Sequence, residues 1–269
     1  MFKAKFPQRI ICLTEEGTEI LYAINQQHRL VGISGFTRRP KQARKEKPKV
    51  SNFIDANFDA ILELKPDLVV GYSDLQRDIA SELIKNGVNV FIFNHRSINE
   101  TLGMVLQFCS LIGNESEGKE LVETYISNLN EAIEKSKAFP FRPKVFFEEW
   151  NDPLISSIQW VSELVEICGG DLIFPELAKE SMAKDRIIHP DLVIDKNPDI
   201  IIGSWCGKKF KPEKVKARKG WDNINAVKNN QLYEIKSEII LQPGPAVLTD
   251  GILEMQSIIS GFFDAENHN

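Results

Sequence analysis

Long apolar runs, paired cysteines and an excess of positive charge are all missing from this 269-residue chain. No stretch approaches the ~20 apolar residues that a membrane-spanning helix requires. The four cysteines, Cys12, Cys109, Cys168 and Cys206, lie far apart with no CxxC pair. They read as buried free thiols rather than disulfides or zinc ligands. His95 follows an apolar strand, but the other histidines sit in unrelated contexts, so no metal ligand is assigned. A formal net charge of −5 excludes a general nucleic-acid binder.

Catalytic signatures are absent too: the chain has no HExxH and no GxGxxG. Gly203-Ser-Trp-Cys-Gly-Lys-Lys209 is one residue short of a phosphate loop and carries Lys where Ser or Thr would hold magnesium. Gly32-Ile-Ser-Gly-Phe36 misses a nucleophile elbow because Phe36 replaces the second glycine. Glu148 and Glu149 alternate along a strand, point to opposite faces and make no acid/base pair by spacing. No catalytic residue and no enzymatic activity are expected. The N-terminal stretch Met1–Leu13 has basic residues but no apolar core of signal-peptide length. A cytoplasmic protein is expected as written, or a periplasmic one if a signal precedes this sequence.

What the chain does have is alternation. Apolar β-rich runs near residues 9–13, 30–34, 67–72, 88–93, 144–148, 199–203 and 232–236 alternate with helical patterns. That order predicts an α/β fold of parallel βαβ units. The longest helix is expected over Glu115–Ala138, where Leu121, Val122, Tyr125, Ile126, Leu129 and Ile133 form one apolar stripe. At about 1.5 Å per residue it is long enough to bridge two small domains. On either side of it stands the same signature: Lys65-Pro-Asp-Leu-Val-Val-Gly-Tyr-Ser73 and Asn197-Pro-Asp-Ile-Ile-Ile-Gly-Ser-Trp205. Two Rossmann-like lobes of similar plan are therefore expected: residues 1–113, a bridging helix 114–139, and residues 140–269.

In parallel α/β sheets ligands gather beyond the carboxyl ends of the strands. The loops there hold Thr14, Glu15 and Glu16, then Phe36, Arg38 and Arg39, then Tyr72, Ser73 and Gln76 in the first lobe. From the second come Trp150, Trp160, Ser204, Trp205, Lys208 and Gln242. Recurring aromatics with a few polar groups suit a large, flat organic ligand held in a cleft between lobes. Each aromatic has an equally good reading as a lid on the core, and Glu15 and Glu16 also read as helix-start residues.

With these residues in view, the chain resembles the substrate-binding proteins of iron-chelate and cobalamin ABC uptake transporters, most closely the cobalamin branch. The carriers are Ile10-Ile-Cys-Leu-Thr-Glu-Glu-Gly-Thr-Glu-Ile-Leu21, Leu30-Val-Gly-Ile-Ser34, Ile61-Leu-Glu-Leu-Lys-Pro-Asp-Leu-Val69, Leu164-Val-Glu-Ile-Cys-Gly-Gly170 and Asn197-Pro-Asp-Ile-Ile-Ile202. The resemblance implies two α/β lobes on one long helix, a clamped ligand and no required cofactor. It implies a non-catalytic, monomeric receptor for a corrinoid such as cobalamin, with Phe36, Tyr72 and Trp205 at the aromatic positions. An anionic ferric siderophore or haem is the alternative ligand, with Arg38, Arg39, Lys184, Arg186, Lys208 and Lys209 facing its acidic groups. A cytoplasmic cofactor-handling protein or enzyme is the second alternative. Family members that dock on an ABC permease present one glutamate per lobe. Here the second-lobe stretch Lys208–Lys216 is basic, with Glu213 as its one acid.

Overall fold

The computed structural model describes residues 4–266. Packing divides the chain into two units, with boundaries after His95, after Ile98 and after Thr124. Each unit has its own sheet and its own core.

The first unit runs β1 (Ile10–Cys12), α1 (Glu15–Ala23), β2 (Leu30–Ser34), α2 (Ala43–Glu46), β3 (Lys49–Ser51), α3 (Phe58–Glu63), β4 (Leu68–Tyr72), α4 (Arg77–Lys85) and β5 (Val90–Phe93). Most of α5 (Ile98–Leu111) and the start of α6 (Glu115–Ser136) complete it. Among the described residues its sheet has the order β3-β2-β1-β4-β5, and every pairing is parallel. The second unit holds the rest of α6, then β6 (Lys144–Asn151), β7 (Leu154–Ser156), α7 (Gln159–Ile167), β8 (Asp171–Leu172), α8 (Pro190–Lys196) and β9 (Ile200–Gly203). It closes with α9 (Pro212–Lys216), α10 (Asn225–Lys228), β10 (Leu232–Glu234), α11 (Ser237–Ile240) and α12 (Asp250–Glu266). Here the order is β10-β9-β6-β7, with β8 beside the start of β6 and β7 antiparallel.

The repeated Pro-Asp signature performs the same job in both units. Lys65 and Asn197, the residues before the prolines, both have φ of 48°. The carboxylate of Asp67 accepts the amides of Gln8 and Arg9 at 2.7 and 2.8 Å, just ahead of β1. That of Asp199 accepts the amide of Lys144 at 2.9 Å, at the start of β6. Each aspartate thus fixes the register between its own strand and the strand beside it. The branched residues that follow are buried on both faces, which is why they read as an unbroken apolar run. Gly203, the last residue of β9, leaves no room for a side chain: a Cβ there would lie 1.9 Å from Phe210 Cδ2.

Two strands depart from the sequence expectation. The sequence shows no apolar β-rich run between residues 34 and 67, but Lys49–Ser51 pairs with β2. The strand expected to end at Glu148 continues to Asn151 and returns as the hairpin partner β7. The four thiols divide three to one: Cys12, Cys109 and Cys168 are buried and Cys206 is exposed. Burial pushes Cys109 and Cys168 up to about 12, and partial burial beside the charge of Glu149 also raises Cys206. An aromatic disulfide reagent is therefore expected to titrate one thiol per native chain, slowly, and four after denaturation. Two or more fast-reacting thiols in the native protein would contradict this packing.

Candidate functional site

At the carboxyl ends of the first unit's strands, the loops are tied to one another through side chains. Thr14 is extended and precedes α1, but its hydroxyl donates to Glu16 Oε1 at 2.7 Å instead of capping the helix. Glu15 Oε1 accepts the backbone amide of Arg38 at 2.5 Å, joining α1 to the loop after β2. Both glutamates are 2% exposed. Burial pushes the Glu16 carboxyl up to about 7, against the lowering effect of its own amide and of Thr14. Arg39 pairs with Glu19 at 3.4 Å, and the Arg38 side chain is exposed. Phe36 leaves 53% of its surface open.

Gln76 is wholly buried and acts as a bracket. Its Oε1 accepts the Tyr72 amide at 2.8 Å, and its Nε2 donates to the Phe53 carbonyl at 2.8 Å. Ser73 sits at φ 65°, its amide donating to the Phe93 carbonyl at 2.7 Å. The Tyr72 hydroxyl donates to the His95 carbonyl at 2.9 Å, with the His95 ring edge-on at 5.0 Å. Tyr72, Ser73 and Gln76 therefore shape the loops rather than offer open surface.

In the second unit the end of β6 sends its two acids opposite ways. Glu148, fully buried, takes a forked pair of bonds from Arg218 at 2.6 and 2.7 Å and a third from the Trp205 indole at 2.9 Å. Glu149 takes a second fork from the buried Arg186 at 2.5 and 3.2 Å. Each acid is matched to its own arginine, so Arg186 does not stand free for an anion. Trp205 packs edge-on to Phe210 within the core, and the Ser204 amide donates to the Glu148 carbonyl at 2.9 Å. Trp160, also buried, donates its indole N–H to the Ile240 carbonyl at 2.9 Å, holding the segment that leads to Gln242. Trp150 is half-buried, with the Lys208 ammonium 4.1 Å above its ring. Ser204–Lys211 forms no helix, and the next one opens only at Pro212. The loop therefore lacks the helix N-terminus that a phosphate loop needs.

Of the five cleft aromatics expected from sequence, Tyr72, Trp160 and Trp205 are lids on the core, while Phe36 and Trp150 keep open faces. The sequence places Thr37 in the loop after β2 but does not single out Ser51, Ser156 or Ser157; the hydroxyls of all four are buried without a hydrogen-bond partner among the described residues. Nor does it point to Arg218. The serines carried one weak signal: small polar residues closing short apolar runs. Among the described residues no group of three or more His, Cys, Asp or Glu is placed to hold a metal ion, and no helix is long and apolar enough to cross a membrane.

Two α/β units that each gather loops at the carboxyl ends of their strands, with one long helix running from the first into the second, have the build of solute-binding proteins. The chain belongs to the periplasmic binding protein family, whose profile matches residues 10–239. It is 26% identical to an uncharacterized ABC transporter substrate-binding lipoprotein of Bacillus subtilis, over 95% of this chain and 81% of the relative. It is also 26% identical to the vitamin B12-binding protein of Vibrio cholerae, over 90% and 86%. Among solved structures it is similar to a possible iron-binding, periplasmic solute-binding protein of Staphylococcus epidermidis, with a TM-score of 0.83 and 26% identity. That match covers 95% of this chain and 99% of the other.

These relatives overturn the cytoplasmic placement expected from the N-terminal stretch. One is a lipoprotein and another periplasmic, in a family of periplasmic proteins. The expectation rested on where the sequence begins, and no leader or anchor can be judged from that.

Proposed function

We propose that this chain is a non-catalytic solute-binding protein whose ligand is a corrinoid, delivered to an ABC permease. The observation that carries the reading is the open Phe36 ring at the carboxyl end of β2, in a chain 26% identical to a vitamin B12-binding protein. A large apolar ring left half in solvent at a sheet's binding end is well suited to a flat macrocycle. In this reading Phe36, Arg38, Arg39, Thr14, Glu15 and Glu16 contact the ligand from the first unit. Taken by itself, the second unit offers Trp150, Lys208, Ser204 and Gln242 as candidate contacts. Tyr72, Ser73, Gln76, Trp160 and Trp205 hold those loops in place, and no cofactor is needed.

A ferric chelate or haem is the second reading, favoured by the exposed Arg38, Lys208 and Lys209 and by the similarity to a possible iron-binding protein. All four tryptophans lie in the second unit, so indole fluorescence reports on ligand there. Titration with dicyanocobinamide is expected to quench it saturably, at one equivalent and about 1 µM affinity or tighter. Phe36→Ala should weaken binding about tenfold, from the loss of one stacked ring. A flat titration with cobinamide alongside saturable binding of hemin or ferric citrate would replace the first reading by the second. Flat titrations with all three would overturn both.

A further inference from the structure

Glu16 lies in the first turn of α1, at the carboxyl end of β1, and is 2% exposed. One of its carboxylate oxygens is accounted for by the Thr14 hydroxyl at 2.7 Å. The other, Oε2, is buried with no hydrogen-bond partner among the described residues. The neighbouring Glu15 reaches instead to the amide of Arg38, which fixes the loop after β2 against this turn. That loop carries Thr37, fully buried, whose hydroxyl is likewise without a partner.

An unmet buried polar atom costs roughly 1–3 kcal/mol, and more when it is charged. The packing around Glu16 therefore supplies a carboxylate oxygen but no donor for it. Its chemical complement is a group rich in N–H, either a primary carboxamide or an ammonium. At pH 8, the pH of the test below, Glu16 is ionised and a carboxylate brought to the same point would meet its like charge. Thr37 can donate or accept, and so tolerates either face of an amide.

We propose that Glu16, assisted by Thr37, is a specificity-determining acceptor that selects ligands carrying amide N–H groups over ligands carrying carboxylates. The inference rests on the corrinoid reading and sharpens it. A corrin ring fringed with carboxamides satisfies Glu16, whereas one fringed with carboxylates, or a haem with its propionates, does not. Selection is exerted by a buried group that reaches its partner only through the ligand, and that raises the discrimination available from a single hydrogen bond.

The test, at pH 8, uses two probes that share a macrocycle: dicyanocobinamide, with amide side chains, and dicyanocobyrinic acid, with carboxylates in their place. The native protein should prefer the amide form by about tenfold or more. Glu16→Gln keeps the size of the side chain but supplies a donor, so it should narrow that ratio about tenfold, chiefly by improving the acid. Thr37→Val should narrow it less. Equal binding of both probes by the native protein overturns the inference and leaves the corrinoid reading standing. An unchanged ratio in Glu16→Gln does the same. If the native protein binds neither probe, the corrinoid reading falls and takes the inference with it.

Discussion

Replacing Glu148 by alanine is expected to destabilise the second unit by about 3–5 kcal/mol, the range for removing one partner of a buried, forked ion pair. The carboxylate is fully buried, and the Arg218 side chain keeps only 18% of its surface. Truncation leaves the guanidinium without its counter-ion, and it leaves the Trp205 indole N–H without an acceptor. The loss extends beyond one contact because three segments meet at this carboxylate: the end of β6, the loop after β9, and the residues following α9. Glu148→Gln keeps an acceptor for Trp205 and gives up only the charge, so it should fall between the native protein and alanine. Arg218→Met combined with Glu148→Leu should recover much of the loss, because two well-packed apolar side chains owe no desolvation.

The measurement is urea unfolding followed by tryptophan fluorescence, which reports on the second unit alone. A deficit below about 1 kcal/mol for Glu148→Ala would mean the pair is a surface-like contact after all. Ligand affinity should fall with stability in the alanine variant and return in the Leu/Met pair, since Glu148 positions Trp205 and the Lys208 loop and touches no ligand itself.

Why this pair escaped sequence reading while the architecture did not is a matter of range. Strands such as Leu68–Tyr72 and Ile200–Gly203 are buried on both faces, so each prints a continuous apolar run that needs no partner to be recognised. The Pro-Asp pairs that open those runs are local as well, and their repetition exposed the shared plan of the two units. Glu148 and Arg218 are 70 positions apart, and nothing in either neighbourhood names the other. Three-residue strands such as Lys49–Ser51 and Leu154–Ser156 are too short to display any period. The aromatics show the same limit. Position after a strand places Phe36 and Trp205 on loops and Trp160 at a helix start, whereas Tyr72 is the last residue of β4 itself. Only packing separates Phe36, open to solvent, from the other three, which are buried in hydrogen-bonded settings.

Glu16 is expected to make the stability of the first unit fall as pH rises from about 4.5 to about 7, by roughly 3 kcal/mol in all. The folded-state value of its carboxyl, about 7, lies above the 4.5 of a free glutamate, because burial penalises the charged form. Below 4.5 the group is protonated in both states and carries no penalty. Between the two values the folded chain holds a proton that the unfolded chain has released, so each pH unit upward weakens the fold. Above about 7 the group is ionised in both states and the full penalty stands, at about 1.4 kcal/mol per unit of displacement. The neighbours do not reverse the sign: the bonds from Glu16's own amide and from the Thr14 hydroxyl lower its value, but burial outweighs both. Far-UV circular dichroism, which senses both units, should show Glu16→Gln gaining on the native protein by about 3 kcal/mol between pH 4.5 and 8. A constant difference across that range would mean Glu16 is ionised throughout. Saturating dicyanocobinamide should remove most of the slope, because an N–H from the ligand stabilises the same anion that burial penalises.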